Sequence, residues 1–448
     1  MSGRSPFATT YVAVGVLAAL GAYIYFVERE RDPDAGEKLF AKLDAAAVQS
    51  VTIAPKDGET IRLEREGEEA WRLAEPIQVA ADAASVTSLL DAVERLELDE
   101  ALEGTAERLA DFGLDAPRVA LTLRGAEGAE LLSLELGAKA PGDGLVYARA
   151  SGRPEVVAIA PSIESDLEKQ PFDFRVRDVL GVERDAIVRL EVSGPEGEYA
   201  LQKQWEEDWS FTRPLATQAG RWSVDSLVGL VAGLKMESVA AEQADDLAAF
   251  GLDAPARSVE VGLDDGTEKI LQIGSSPEEG KYHAREASSR LVAVIPGTLV
   301  EDLEKGMAEL RAKRLLDVST FEVEGVTAEL AGGRRVWARS GEDAAAQKWS
   351  RSEPDAAEVE TSKMEDALYD LTGLDVAGFV DAPEGDAAYG LAEPALRITL
   401  RRSEDAPEVE VVFGRTGDSA YARRTGDDAV LELDPAKVDE LLGTLGQL

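Results

Sequence analysis

Residues Phe112-Gly113-Leu114-Asp115-Ala116-Pro117 return as Phe250-Gly251-Leu252-Asp253-Ala254-Pro255, and more loosely as Tyr389-Gly390-Leu391-Ala392-Glu393-Pro394. The spacings are 250 − 112 = 138 and 389 − 250 = 139 residues, so the chain is expected to build one unit three times. The hexapeptide has a local physical meaning. Gly can adopt the left-handed conformation that ends a helix, and Pro blocks continuation. Pro also drives the residue before it into the extended region, where a strand can start. The aromatic and the Leu are expected to pack the corner. Phe112, Gly113, Leu114, Pro117, Phe250, Gly251, Leu252, Pro255, Tyr389, Gly390, Leu391 and Pro394 are therefore read as structural joints.

Other landmarks keep the same period. Trp71, Trp209 and Trp349 are each followed by a proline (Pro76, Pro214, Pro354) and then by a helical pattern. In that pattern Val86, Leu89, Leu90, Val93 and Leu96 form an apolar stripe at helical spacing. Val224, Leu227, Val228, Val231 and Leu234 match it, as do Met364, Ala367, Leu368, Leu371 and Leu374. Before each Trp lie extended runs, the first pair split by Lys56-Asp57-Gly58, a hairpin signal. After each joint the pattern alternates, as in Val119, Leu121 and Leu123. A second strand ends at Gly137, Gly274 and Gly414, and a third carries Tyr147-Ala148-Arg149, His283-Ala284-Arg285 and Tyr421-Ala422-Arg423. A fourth strand and a capped helix close each unit, with Asp434-Pro435 the clearest cap. Each unit reads as about three strands, one or two helices, about four strands and a helix. Short connections favour antiparallel pairing, so the expected class is α+β, each domain a mainly antiparallel sheet with covering helices.

Phe7 to Val27 carry no charge over 21 positions, close to the ~20 helical residues that cross a bilayer core. Tyr11, Tyr23 and Tyr25 lie towards its ends, Arg4 precedes it, and Glu28–Asp32 are mixed in sign. These features predict a retained transmembrane helix with a cytoplasmic N-terminus and an exported body. A cleaved signal peptide would have a shorter apolar core and a small-x-small site; here the run continues through Tyr23-Ile24-Tyr25-Phe26-Val27. The expected organisation is a cytoplasmic tail (1–6), transmembrane helix (7–27), linker (28–40) and repeat domains at 41–170, 171–310 and 311–448.

Composition narrows the function classes. The 448-residue chain has 47 basic and 87 acidic residues, a formal charge of −40. Such a field opposes binding to nucleic acid or to an anionic lipid surface. There is no cysteine, which excludes disulfides, thiolate zinc sites and cysteine nucleophiles. The sole histidine, His283, stands where Tyr147 and Tyr421 stand in the other units, and so reads as an amphipathic ring against a strand. Gly274–Lys281 imitates a phosphate loop but has five residues between its glycines and Tyr282 where Ser or Thr should follow. Asp264-Asp265-Gly266 and Asp427-Asp428 read as hairpin turns, lacking the ligand spacing of a calcium loop. Arg149, Arg285 and Arg423 recur at one position and are expected to pair with neighbouring acids. No catalytic, cofactor-binding or metal-binding residue is assigned.

The anchor, the Trp-to-Pro lead and the repeated aromatic-Gly-Leu-x-x-Pro joint resemble a bacterial domain-of-unknown-function family, number 4340, over nearly all of the chain after the anchor. The resemblance implies an anchored envelope protein at the inner (cytoplasmic) membrane, its body facing the periplasm or exterior. It also implies an association with auxiliary proteins of gliding-motility-type ABC transporters, and it supplies no catalytic residues. The expected function is a non-enzymatic single-pass envelope protein whose three exported domains bind partner proteins, as an accessory of an ABC-transporter-like complex. The alternatives are a module that binds cell-wall or surface polysaccharide through one sheet face, and a carboxylate-based hydrolase.

Overall fold

The computed structural model describes residues 37–40, 43–142, 144–205, 208–341, 347–402 and 406–448. The expected transmembrane segment 7–27 lies outside the described residues. Among the described residues no helix is long and apolar enough to cross a membrane. The chain divides into two compact bodies, one running to Arg177 and the other from Asp178 to Leu448.

The first body contains β1 (Glu37–Lys38), β2 (Ser50–Pro55), β3 (Ile61–Glu66), β4 (Ala70–Glu75), β5 (Val79–Ala81) and helix α1 (Ala83–Glu94). It continues with β6 (Glu97–Leu98), β7 (Glu100–Leu102), β8 (Val119–Arg124), β9 (Glu130–Lys139), β10 (Val146–Ala150), β11 (Val156–Ile159) and the single turn α2 (Glu164–Leu167). Nine strands pair antiparallel in the order β5-β4-β3-β2-β8-β9-β10-β11-β7. The chain thus lays down a four-stranded half, crosses by α1 to the far edge with β7, returns to set β8 beside β2, and fills outward through β9 and β10 to β11 against β7.

The second body holds two further copies. One is β12 (Ile187–Gly194), β13 (Gly197–Trp205), β14 (Asp208–Arg213), β15 (Thr217–Gln218), α3 (Arg221–Ala232), β16 (Ser238–Ala241), β17 (Arg257–Leu263), β18 (Glu268–Ile273), β19 (Lys281–Glu286), β20 (Val292–Pro296), α4 (Thr298–Glu304) and α5 (Gly306–Leu310). The other is β21 (Gly325–Leu330), β22 (Gly333–Ser340), β23 (Lys348–Glu353), β24 (Ala357–Val359), α6 (Thr361–Thr372), β25 (Val376–Val380), β26 (Leu396–Arg401), β27 (Val409–Thr416), β28 (Ser419–Arg424), β29 (Val430–Leu433) and α7 (Pro435–Gln447). Both repeat the strand order of the first sheet. The result is three tandem α+β domains, each a nine-stranded antiparallel sheet with few helices. The two strands beyond the expected seven are the short edge pieces, such as β5 and β7.

The helical stripe explains why each sheet has a covered face. All of Val86, Leu89, Leu90, Val93 and Leu96, with their ten counterparts, are at most 5% exposed. In the first domain they join Val51, Ile53, Leu63, Trp71, Leu121 and Leu123 in one core. Period-2 alternation on β8 and β26, buried at the first, third and fifth residue of each strand and half-buried between, puts one face of each on its own domain's core. At ~1.5–3 kcal/mol per fully buried large apolar side chain, this interleaving is the main stabilising term. Asp82 caps α1 by accepting from Ser85 N–H at 3.1 Å, and Asp434 caps α7 by accepting from Ala436 N–H at 2.8 Å.

Two details depart from the expected organisation. Glu37–Lys38, assigned from sequence to the linker, pair with β6, and Leu39 and Phe40 behind them are buried in the first core. Between the second and third domains, residues 310–315 are hydrogen-bonded to both. Leu310 O accepts from Gly220 N–H (2.7 Å) and Ala312 N–H donates to Gln218 O (3.1 Å) on one side; Leu315 N–H donates to Leu374 O (2.8 Å) on the other.

Candidate functional site

Each joint closes in the same way. A 3-10 turn ends at Gly113, Gly251 or Gly390, whose φ values of +69°, +66° and +69° lie in the left-handed region. The following Leu114, Leu252 and Leu391 are at most 6% exposed. The joint aromatic then meets the ring on the third strand edge-on. Phe112 and Tyr147 centroids are 4.9 Å apart, Phe250 and His283 5.1 Å, and Tyr389 and Tyr421 5.1 Å. Gly137 and Gly414, expected from sequence to end their strands, lie inside β9 and β27, while Gly274 directly follows β18. All three have a role that their place in the sequence does not reveal. A Cβ at any of them would overlap the carbonyl oxygen of Phe112, Phe250 or Tyr389. The joint residues therefore converge on a packed corner.

His283 occupies the ring position of that corner. Its backbone N–H donates to Ser275 O (2.9 Å), and its Nδ1 lies 3.1 Å from Ser275 Oγ. Burial holds its pKa below the ordinary histidine value. A Ser–His contact resembles half of a nucleophile–base arrangement. Here, however, the imidazole packs as the two tyrosines do, and Ala138 and Arg415 adjoin the other two joints where Ser275 adjoins this one. The phosphate-loop imitation is a turn between β18 and β19. Its Lys281 is engaged by Glu278 at 2.7 Å and Glu237 at 3.3 Å, which leaves no free cation for a phosphate. Arg149 pairs with Glu135 (2.7 Å), Arg423 with Asp386 (2.5 Å), and Arg285 bonds the amide oxygen of Gln272 (2.8 Å).

Of the two acidic pairs, Asp264-Asp265-Gly266 is a plain turn in which Asp265 accepts from Thr267 N–H at 2.7 Å. Asp427-Asp428 does more than turn the chain. Asp427 Oδ2 accepts from Arg424 Nε at 2.7 Å, and both side chains are 3% exposed. Asp427 Oδ1 accepts from Gln218 N–H (2.9 Å) and Asp428 Oδ2 from Ala216 N–H (2.8 Å), both in the preceding domain. Arg424 Nη1 reaches Gln218 Oε1 at 3.0 Å. These groups dock the end of the third sheet onto the β14–β15 hairpin. Arg402 and Asp208 (2.9 Å) add a second tie between the domains, and Arg311 and Asp381 (2.7 Å) a third.

Two clefts bear on binding. In the first body a cleft of about 610 Å3 is walled by Leu39, Phe40, Leu43, Leu131 and Leu132, with Arg153 and Glu155 at its side. In the second body a cleft of about 380 Å3 lies at the first turn of α3, lined by Arg221, Trp222, Lys313, Arg314, Glu309 and Asp317 among others. Trp222 is 79% exposed. Glu309 is bound to Lys313 (2.8 Å), which holds its carboxyl below the usual range and so keeps it charged, the wrong state for a general acid. Among the described residues no three histidine or carboxylate side chains gather as metal ligands would.

No curated protein matches the chain. The DNA polymerase sliding clamp from Pseudomonas aeruginosa is 9% identical, with 88% of this chain and 92% of that chain covered and a TM-score of 0.19. A putative DNA polymerase III beta subunit from Eubacterium rectale is 6% identical, with 88% and 92% covered and a TM-score of 0.16. Neither likeness is close enough to carry an argument about fold or function. The family model "Domain of unknown function (DUF4340)" matches residues 71–210, 209–393 and 349–446. These matches begin at Trp71, Trp209 and Trp349, the three landmarks of the internal period. The chain belongs to the DUF4340 family, with three repeated segments of it in tandem.

Proposed function

We propose that this chain is a non-enzymatic, single-pass envelope protein whose three repeat domains bind partner proteins, as an accessory of an ABC-transporter-like complex in the same membrane. The observation that carries the reading is the uncharged segment Phe7–Val27 placed ahead of three copies of one domain. A triplicated domain multiplies binding surface, and an anchor raises the effective concentration of that surface for partners in the membrane. The residues that recur in all three copies support the same reading, because the joint aromatics, the left-handed glycines and the edge-on rings are spent on packing. His283 shares its place with two tyrosines, which speaks for a structural ring.

The test has two arms. Protease added outside the cytoplasmic membrane should digest the chain beyond residue 28, and a mature chain beginning between residues 20 and 35 would overturn the anchor. Affinity recovery from native membranes should yield membrane partners. Exchange of residues 7–27 for an unrelated anchor or a cleavable signal should weaken that recovery, whereas unchanged recovery with a freely soluble body would remove the membrane-assembly reading.

A further inference from the structure

Trp222 breaks the pattern of the repeat. Trp71, Trp209, Trp337 and Trp349 are core residues, each at most 5% exposed. Trp222 is 79% exposed on the first turn of α3, where the register that equates Val86, Val224 and Met364 places Ala84 and Ser362 in the other domains. The fold is therefore made twice without an indole there. Its neighbour Arg221 likewise stands where the other copies have Ala83 and Thr361.

The surroundings of the indole differ from the rest of the molecule in charge. The chain as a whole has 87 acids against 47 bases. The cleft of about 380 Å3 beside Trp222 is lined by Arg221, Arg311, Lys313 and Arg314 against Glu309 and Asp317, with Arg311 paired to Asp381 and Lys313 to Glu309. Gly220 caps α3 where Asp82 and Glu360 cap the equivalent helices, so the one acid that the repeat would put at this place is missing. Arg314 is exposed, and its contacts among the described residues run through its backbone, its carbonyl accepting from Arg424 Nη1 at 3.4 Å. Neither Ala84 nor Ser362 puts an indole at the equivalent place in the sister domains.

We propose that this cleft binds an anionic saccharide, with Trp222 stacking on a pyranose face and Arg314 receiving the acidic substituent. An exposed indole offers a flat apolar surface with a polar edge, suited to the C–H face of a sugar ring. The exposed Arg314 guanidinium can take a carboxylate or phosphate with two parallel donors. The cleft lies near the lower end of the ~300–1,000 Å3 range of small-ligand sites, which suits a few sugar units. A long polyanion such as a nucleic acid would have to run from the cleft across the acidic remainder of the surface, where repulsion grows with every phosphate. This placement differs from the sheet-face polysaccharide site considered from sequence, and it stands whether or not the membrane-partner reading holds.

The experiment titrates the full-length protein in detergent with a tetra-galacturonate, with a neutral tetrasaccharide of equal length, with a tetra-glutamate peptide and with a short oligothymidylate. Calorimetry gives the affinity, and acrylamide quenching reports the accessibility of the exposed indole. The tetra-galacturonate should bind at least ~10-fold tighter than the neutral tetramer, weaken with added salt, and shield Trp222 from quenching. Trp222→Ala and Arg314→Ala should each reduce affinity by about tenfold or more. Both side chains are exposed, so circular dichroism and the thermal transition should be unchanged, and Tyr369→Ala, at another exposed aromatic, should bind as the parent does. Absence of binding at millimolar concentration, equal affinity for the neutral tetramer, or binding indifferent to Trp222→Ala would each overturn the proposal. Tighter binding of the peptide or the oligonucleotide through the same two residues would overturn its choice of ligand.

Discussion

Asp427→Asn tests whether the second and third domains are locked by a buried ion pair. Arg424 and Asp427 are each 3% exposed in their side chains, so solvent screens neither. Burial holds the Arg424 pKa below its ordinary value, the Asp427 charge opposing that shift. Removing one partner of such a pair costs ~3–5 kcal/mol, because the survivor is left charged and buried. Asparagine keeps the shape and can still accept from Gln218 N–H, so the lower end, about 3 kcal/mol, is expected. The assay is hydrogen exchange by mass spectrometry on the full chain. Peptides spanning 214–220 and 425–430 contain the amides of Ala216, Gln218 and Asp428, which close this junction. Their exchange should accelerate roughly 10²-fold, the equivalent of about 3 kcal/mol of local opening. Residues 77–82 of the first body, the counterpart of the hairpin side, should exchange as before and serve as the internal control. Adding Arg424→Met should recover part of the loss, since it removes the stranded charge. Acceleration below about threefold in the single variant would show that the pair does not hold the junction.

Two further outcomes follow from the joint. Gly274→Ala and Gly414→Ala each drive a methyl group into a backbone carbonyl, so a loss of ~1–3 kcal/mol or more is expected, read as a lower thermal midpoint; Gly67→Ala, where nothing lies within 4 Å but φ is +81°, should cost only about 1 kcal/mol from its backbone, and equal losses at the three sites would refute the overlap argument. His283→Tyr should fold and retain cellular function, since tyrosine fills the same corner in the other two domains. Because burial lowers the His283 pKa, the unfolded chain takes up the proton more readily than the folded one. The histidine's contribution is thus whole above about pH 6.5 and fades as pH falls through that value. Urea midpoints at pH 7.5 and pH 5 should therefore diverge less for the tyrosine variant than for the parent, and loss of function in a stably folded variant would reopen an enzymatic role.

How much of this was legible in sequence depends on the range over which the signal acts. The fifteen stripe positions, the alternation after each joint and the glycine at each corner are local patterns, and a threefold period lets each copy vouch for the others. The short edge strands were not legible, because three residues such as Val79–Ala81 carry no usable period. Asp427-Asp428 lies in a hairpin turn as expected, but its docking role was not legible for a related reason. Its sequence is turn-like and it does turn the chain, but its burial comes from Gln218, 209 residues away. Nothing local distinguishes a solvated Gly-Asp-Asp from one that is docked.

The same reasoning shows where activity should be sought in a protein built by triplication. Positions identical or interchangeable in all three copies answer to the fold, as the rings Tyr147, His283 and Tyr421 do. Positions where one copy departs in its core or at a junction answer to assembly, as Arg424 and Asp427 do. That leaves departures that are exposed, chemically costly to keep in water and unneeded by the sister domains. Trp222 is 79% exposed, where its counterparts Ala84 and Ser362 show that a small residue suffices. Phe321 and Tyr369 are as exposed, so exposure by itself does not mark a site; what sets Trp222 apart is the cleft beside it, with the exposed Arg314 on its wall.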